Sequence, residues 1–243
     1  MELVKTENAL ISVQEKGDGL DIELGASRVI TRLKLVQSNS ELITKKKILK
    51  PADTGKFFNS LTEQCADSLD VILCQAQRAF VEYPPEGVKD FKGPFPSHAP
   101  SSDVVLNAEK IPNSRDLLTP SGNHLRETIT LSLLLADTGS EASIDLQKTQ
   151  IKEGSRLIQM IKSFVAMTET GEKFTPRCYR HIFKMSSKDM SNDAGAWQGV
   201  RFDYVGPNDS AFLIEKAEAF RESIKAGAVT VHETPEDSDL MPF

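Results

Sequence analysis

Lysine and arginine are mixed with aromatic residues at several places along this chain of 243 residues. The densest case is Tyr179-Arg180-His181-Ile182-Phe183-Lys184, preceded by Arg177. Another is Lys45-Lys46-Lys47 with Lys50 and Lys56, running into Phe57-Phe58. Arg78 with Phe80, and Phe91-Lys92 with Phe95 and His98, repeat the mixture. Cations follow phosphates and flat rings stack on bases, at about 1 to 3 kcal/mol per stacked base, so this combination suits an unpaired nucleic-acid strand. Each instance also has a plainer reading. On a strand, Tyr179, His181 and Phe183 share one face and Arg180, Ile182 and Lys184 the other, and the ring face either stacks bases or fills a core. The lysine run is otherwise a solvated loop. Trp197, the only tryptophan, suits a core as well as a platform.

Catalytic patterns are scarce. No glycine-rich phosphate loop occurs, and Gly17-Asp18-Gly19 reads as a hairpin turn. His98, His124, His181 and His232 are scattered. Asp67 with Asp70, or Asp189 with Asp193, offers paired carboxylates for a metal-dependent nuclease, but in turn-like polar contexts. Cys65, Cys74 and Cys178 fit neither a zinc pattern nor a disulfide framework and read as free thiols. The expectation is a binding protein with no enzymatic activity, no cofactor and no metal.

The elements that would position these groups are mainly strands. In residues 128–135, Ile129, Leu131, Leu133 and Leu135 alternate with polar residues; Asp137-Thr138-Gly139-Ser140 supplies a turn, and Ala142, Ile144 and Leu146 alternate beyond it, predicting a hairpin. Residues 28–37, 70–83, 178–186 and 197–205 are the other predicted strands. Two segments read as helices. One runs from Ser155 with Leu157, Ile158, Ile161, Phe164 and Val165 at helical spacing. The other starts near Asp209 or Ser210, carries Phe212, Leu213, Ala217, Phe220 and Ile224 on one face, and stops at Gly227. Residues 84–120 hold seven of the 12 prolines and read as a long irregular connection. The fold class expected is mainly β: an OB-like β-barrel with long loops and two accessory helices.

The net charge of -6 hides segregation. Residues 28–56 carry eight bases against two acids, and residues 173–188 carry five bases and no acid. The first 27 residues hold six acids and two bases, and residues 232–243 hold four acids with no lysine or arginine. That last segment should be a disordered tail beyond a single domain spanning 1–231. No apolar stretch approaches the roughly 18 residues of a membrane span, and Met1-Glu2-Leu3-Val4-Lys5 lacks the order of a secretion signal, so the chain is expected in the cytoplasm, a host's if it is viral.

The tail ends abruptly apolar. Asp237-Ser238-Asp239-Leu240-Met241-Pro242-Phe243 resembles the C-terminal tip of bacterial single-stranded-DNA-binding proteins, over about a dozen residues. The body is more similar to diverged bacteriophage single-stranded-DNA-binding proteins, through Arg32-Leu33-Lys34-Leu35-Val36-Gln37, Gly55-Lys56-Phe57-Phe58-Asn59, and the Trp197 strand with the helix after it. The resemblance implies an OB-fold that binds and protects single-stranded DNA without sequence preference in phage replication, recombination and repair. It also implies a tail, through Asp237, Asp239, Leu240, Met241, Pro242 and Phe243, that recruits replication and recombination proteins. In the absence of DNA the tip would compete for the protein's own cationic groove. The expected DNA-binding residues are Lys34, Lys45, Lys46, Lys47, Lys50, Lys56, Phe57, Arg78, Phe80, Lys92, Arg177, Tyr179, Arg180 and Lys184. A strand-annealing protein of a phage recombination system is the alternative, and an interaction module with only a functional tail is a further rival. No membrane partner is expected, and the oligomeric state stays open.

Overall fold

Alternating segments become strands, and the runs that do not alternate turn out to be buried on two sides. The computed structural model describes residues 3–6, 9–12, 28–85, 95–112, 114–193 and 195–231. Its principal elements are β1 (Arg28–Leu35), β2 (Phe57–Asn59), β3 (Ser68–Tyr83), β4 (His124–Leu135), β5 (Glu141–Gln147), α1 (Ile151–Ser163), β6 (His181–Asn192), β7 (Gly195–Pro207), α2 (Ala211–Lys225) and β8 (Val229–Val231). Two single-turn helices, Glu41–Thr44 and Asp103–Leu106, add to the two long ones that the periodicity predicts.

The main sheet runs in the order β7-β6-β3-β4-β5-β1-β2. It is antiparallel except where β1 meets β5 and β8, which run parallel to it. The β4-β5 hairpin has the expected register, with Ile129 opposite Leu146, Leu131 opposite Ile144 and Leu133 opposite Ala142. Gly139 closes it at a φ of 67°, which a residue with a Cβ rarely adopts.

In β3 the continuous apolar run Val71-Ile72-Leu73-Cys74 signals a strand covered on both faces. Inside the curl, Val71 and Leu73 join Leu131, Leu133, Phe183, Met185, Val200 and Phe202 in the main core, closed by Leu157 and Ile161 of α1. Outside it, Ile72, Cys74 and Leu134 pack on Ala217 and Phe220 of α2. Each such side chain fully buried contributes about 1.5 to 3 kcal/mol. The Ser210 hydroxyl caps α2 by accepting from the Leu213 N–H at 3.3 Å. Phe212, predicted on the packed face, is 61% exposed.

The sheet is a curled half-barrel. Its two ends meet through a side chain: the Gln37 amide, just beyond β1, donates to the Gln198 carbonyl of β7 at 3.0 Å and accepts from the Gln198 N–H at 2.9 Å. A glutamine thus makes the two bonds a neighbouring strand would make. The proline-rich connection is largely irregular, and a buried pair, Arg126 Nη2 to Asp116 Oδ2 at 3.0 Å, pins it to β4. Among the described residues no helix is long and apolar enough to cross a membrane.

Candidate nucleic-acid interface

The segment between β1 and β2 turns its lysines outward because its apolar residues have a small core of their own. Leu42 and Leu49 fold over Val36 and Phe58, with the Ser40 hydroxyl capping the Glu41–Thr44 turn. Lys45, Lys46, Lys47 and Lys50 are exposed. Lys45 pairs with Glu41, and Lys56 reaches Asp53 at 3.0 Å. The Lys50 N–H and the Lys56 ammonium hold the Asp53 carboxyl below its ordinary pKa. Lys46, Lys47 and Lys50 have no ion-pair partner among the described residues. Lys34 is half-buried on β1, opposite Phe58. Phe57, expected to stack on bases, is 1% exposed in the main core and unavailable for stacking.

At the other basic stretch the expected shared face forms in part: His181 and Phe183 lie together, ring centroids 6.3 Å apart, whereas Tyr179 joins the core on the other side of the sheet. Cys178–Arg180 is a 3-10 turn rather than strand, and the β6-β7 register shifts between Ile182 and Phe183. Tyr179, expected to contact DNA, is 1% exposed between β3 and α2 and donates its hydroxyl to Glu218 Oε1 at 2.5 Å. Arg177, Arg180 and Lys184 are exposed, and neither Arg180 nor Lys184 has an ion-pair partner among the described residues.

The shift sets Phe183 opposite Tyr204 and Ile182 opposite Gly206, leaving Val205 as the extra residue of a bulge. Tyr204 thereby joins a ring cluster. His181 stacks on Phe164 with centroids 4.2 Å apart, and Phe164 lies 4.8 Å from Tyr204. Burial pushes the His181 pKa down, which keeps the imidazole neutral at pH 7. Tyr204 is 43% exposed, as is Phe174 at 48%, on the short ribbon Ala166–Met167 with Lys173–Phe174. Val165, Met167 and Val205 are exposed as well. Of these, Phe174 shares the lining of one hollow with Arg177 and Arg180. Phe174 and Tyr204 carry no readable signal in the sequence, because a bulge leaves none and the ribbon lacks alternation; Phe164, expected on a helix face, lies one residue beyond α1.

Strand β7 links the two basic regions. Lys188 lies opposite Gly199. A Cβ there would meet Met190 Sδ at 2.4 Å, so a larger residue would make the Met190 side chain shift. Lys188 comes within 3.8 Å of Glu153 on α1. Glu153 accepts from the Phe202 N–H at 2.9 Å and from Arg156 Nη2 at 2.6 Å. Arg156 also donates to the Phe202 carbonyl. Burial would raise the Glu153 pKa, but Arg156, the Phe202 N–H and Lys188 outweigh it and hold the carboxyl low. Next along β7, Arg201 pairs with Asp203 at 2.8 Å.

Other expected residues lie apart. Arg78 is paired with Glu127. It sits six residues beyond Ile72, where β3 leaves β6, or about 20 Å along the strand. Phe80 is half-buried beside it, opposite Glu127. Trp197 is half-buried near the β6-β7 turn. Lys92 and the tail residues Asp237, Asp239, Leu240, Met241, Pro242 and Phe243 lie outside the described residues. Among the described residues no three His, Cys, Asp or Glu side chains gather as a metal site.

Over residues 10–230 the sequence matches the family described as Pam3 phage gp34-like protein. No curated protein and no solved structure matches it.

Proposed function

The chain belongs to the Pam3 phage gp34-like protein family, and we propose that it binds and protects single-stranded DNA without sequence preference during phage DNA replication, recombination and repair. The observation that carries this reading is the exposed ring of Phe174 beside Arg177 and Arg180 around one hollow, with the half-exposed Tyr204 next to it through His181, 5.9 Å between ring centroids. Rings and cations in that mixture serve bases and phosphates of an unpaired strand together. The unpaired Lys46, Lys47 and Lys50 toward the other end of β7 extend the cationic path. The curled half-barrel serves as an OB-like platform in this reading, and the acidic tip ending in Phe243 recruits replication proteins. No reaction is catalysed.

Titration of the full chain with labelled oligo-dT, an unrelated single strand and a duplex, each at two salt concentrations, tests the proposal. Both single strands should bind alike, more tightly than the duplex, and less tightly as salt rises. Equal affinity for duplex, or no binding to either single strand, overturns it.

A further inference from the structure

We propose that the hollow of about 460 Å³ walled by Phe174, Pro176, Arg180, His181 and Asp209 receives one unpaired nucleobase of the bound strand. The inference rests on the single-strand reading and assigns it a subsite. Small-ligand pockets span about 300 to 1,000 Å³, and this volume is ample for one flat base. His181 borders the hollow at 6% exposure, and neither of its ring nitrogens has a hydrogen-bond partner among the described residues. Buried polar atoms are rarely left so. A neutral imidazole carries one donor and one acceptor on diverging sides of the ring, so one of the two can meet a matching group on a base edge. Phe174, half exposed at the rim, gives the base a face to stack on. Arg177 and Arg180, both exposed on the same rim, meet the flanking phosphates. Of the two carboxylates lining the hollow, Glu218 already accepts the Tyr179 hydroxyl, and Asp209 is exposed and suited to an exocyclic amine.

The full chain, Phe174→Ala and His181→Phe are titrated with a labelled single strand carrying bromodeoxyuridine, then irradiated and digested. Phe174 is half exposed and its loss leaves the core intact; His181→Phe preserves the stack on Phe164. Each variant should bind about ten-fold more weakly, the loss of one stacked or hydrogen-bonded base. The salt slope should not change, because no phosphate contact is removed. Cross-links should fall on the peptide containing Phe174. If the wild type binds single strands while both variants stay within two-fold of it and the cross-links map elsewhere, the base pocket is overturned alone. If the wild type binds no single strand, the underlying reading falls and the pocket with it.

Discussion

Five lysines between β1 and β2 look alike in sequence, but two are paired and three are not, and that difference sets a quantitative expectation. Lys45 is engaged by Glu41 and Lys56 by Asp53, whereas Lys46, Lys47 and Lys50 are exposed with no ion-pair partner among the described residues. A cation that neutralises a phosphate of a single strand releases counterion and contributes about 0.7 to the slope of log affinity against log salt. Replacing Lys46, Lys47 and Lys50 by Ala should therefore flatten that slope by about 2. Extrapolated to 1 M salt, where this contribution vanishes, wild type and variant should converge; at 0.1 M the variant should bind about 100-fold more weakly, or about 2.7 kcal/mol. Lys45→Ala with Lys56→Ala should change the slope by much less, because each of those charges is already answered by a carboxylate. Fluorescence-anisotropy titrations of labelled oligo-dT across salt concentrations measure both slopes. An unchanged slope in the triple variant, or an equal change in the paired-lysine double variant, refutes the assignment of the free lysines to phosphates.

Glu153→Gln keeps an acceptor for the Phe202 N–H but discards the charge facing Arg156 and Lys188, and should cost about 1 to 2 kcal/mol in urea unfolding at pH 7. The folded carboxyl titrates below its ordinary value of 4.5, so its contribution is complete above that pH and is lost as pH falls through the folded pKa. The gap between wild type and variant should shrink as pH falls below 4.5 through the folded pKa; a constant or widening gap contradicts the clasp. Phe57→Ala should lower stability by about 3 to 5 kcal/mol in denaturant titration. Tyr179→Phe, which removes only the hydroxyl bonded to Glu218, should lower it by about 1 kcal/mol. Neither should alter single-strand affinity per folded molecule, and a ten-fold affinity loss in either would put that ring back at the DNA surface.

Local pattern carried part of the architecture. The β4-β5 hairpin was legible because Ile129, Leu131 and Leu133 alternate and Gly139 marks the turn. α2 was legible because Ser210 caps it and Ala217 and Phe220 recur at helical spacing. Burial of rings was less so. Phe57 and Tyr179 sit in cationic contexts and yet are core, whereas Tyr204, with no such context, is exposed. What decides between them is non-local: α2 covers Tyr179, the main core encloses Phe57, and a one-residue bulge at Val205 turns Tyr204 toward Phe164. The pairing of Lys45 and Lys56 follows from spacings of four and three residues and could have been anticipated, whereas the meeting of Gln37 with Gln198 across 161 residues could not.

That meeting, together with the contacts of Glu153 and Arg156 at Phe202, occupies part of the sheet's outer edge. A strand at the end of a sheet presents free N–H and C=O groups that recruit another strand, a route to polymer and aggregate. On β7 the groups of Gln198 and Phe202 are already taken by side chains of the same molecule. Side chains, unlike a strand, end the ladder where they bind and offer nothing to the next copy. At those two positions the strand of a second copy finds no free N–H or C=O, so β7 resists extension into a continuous sheet there.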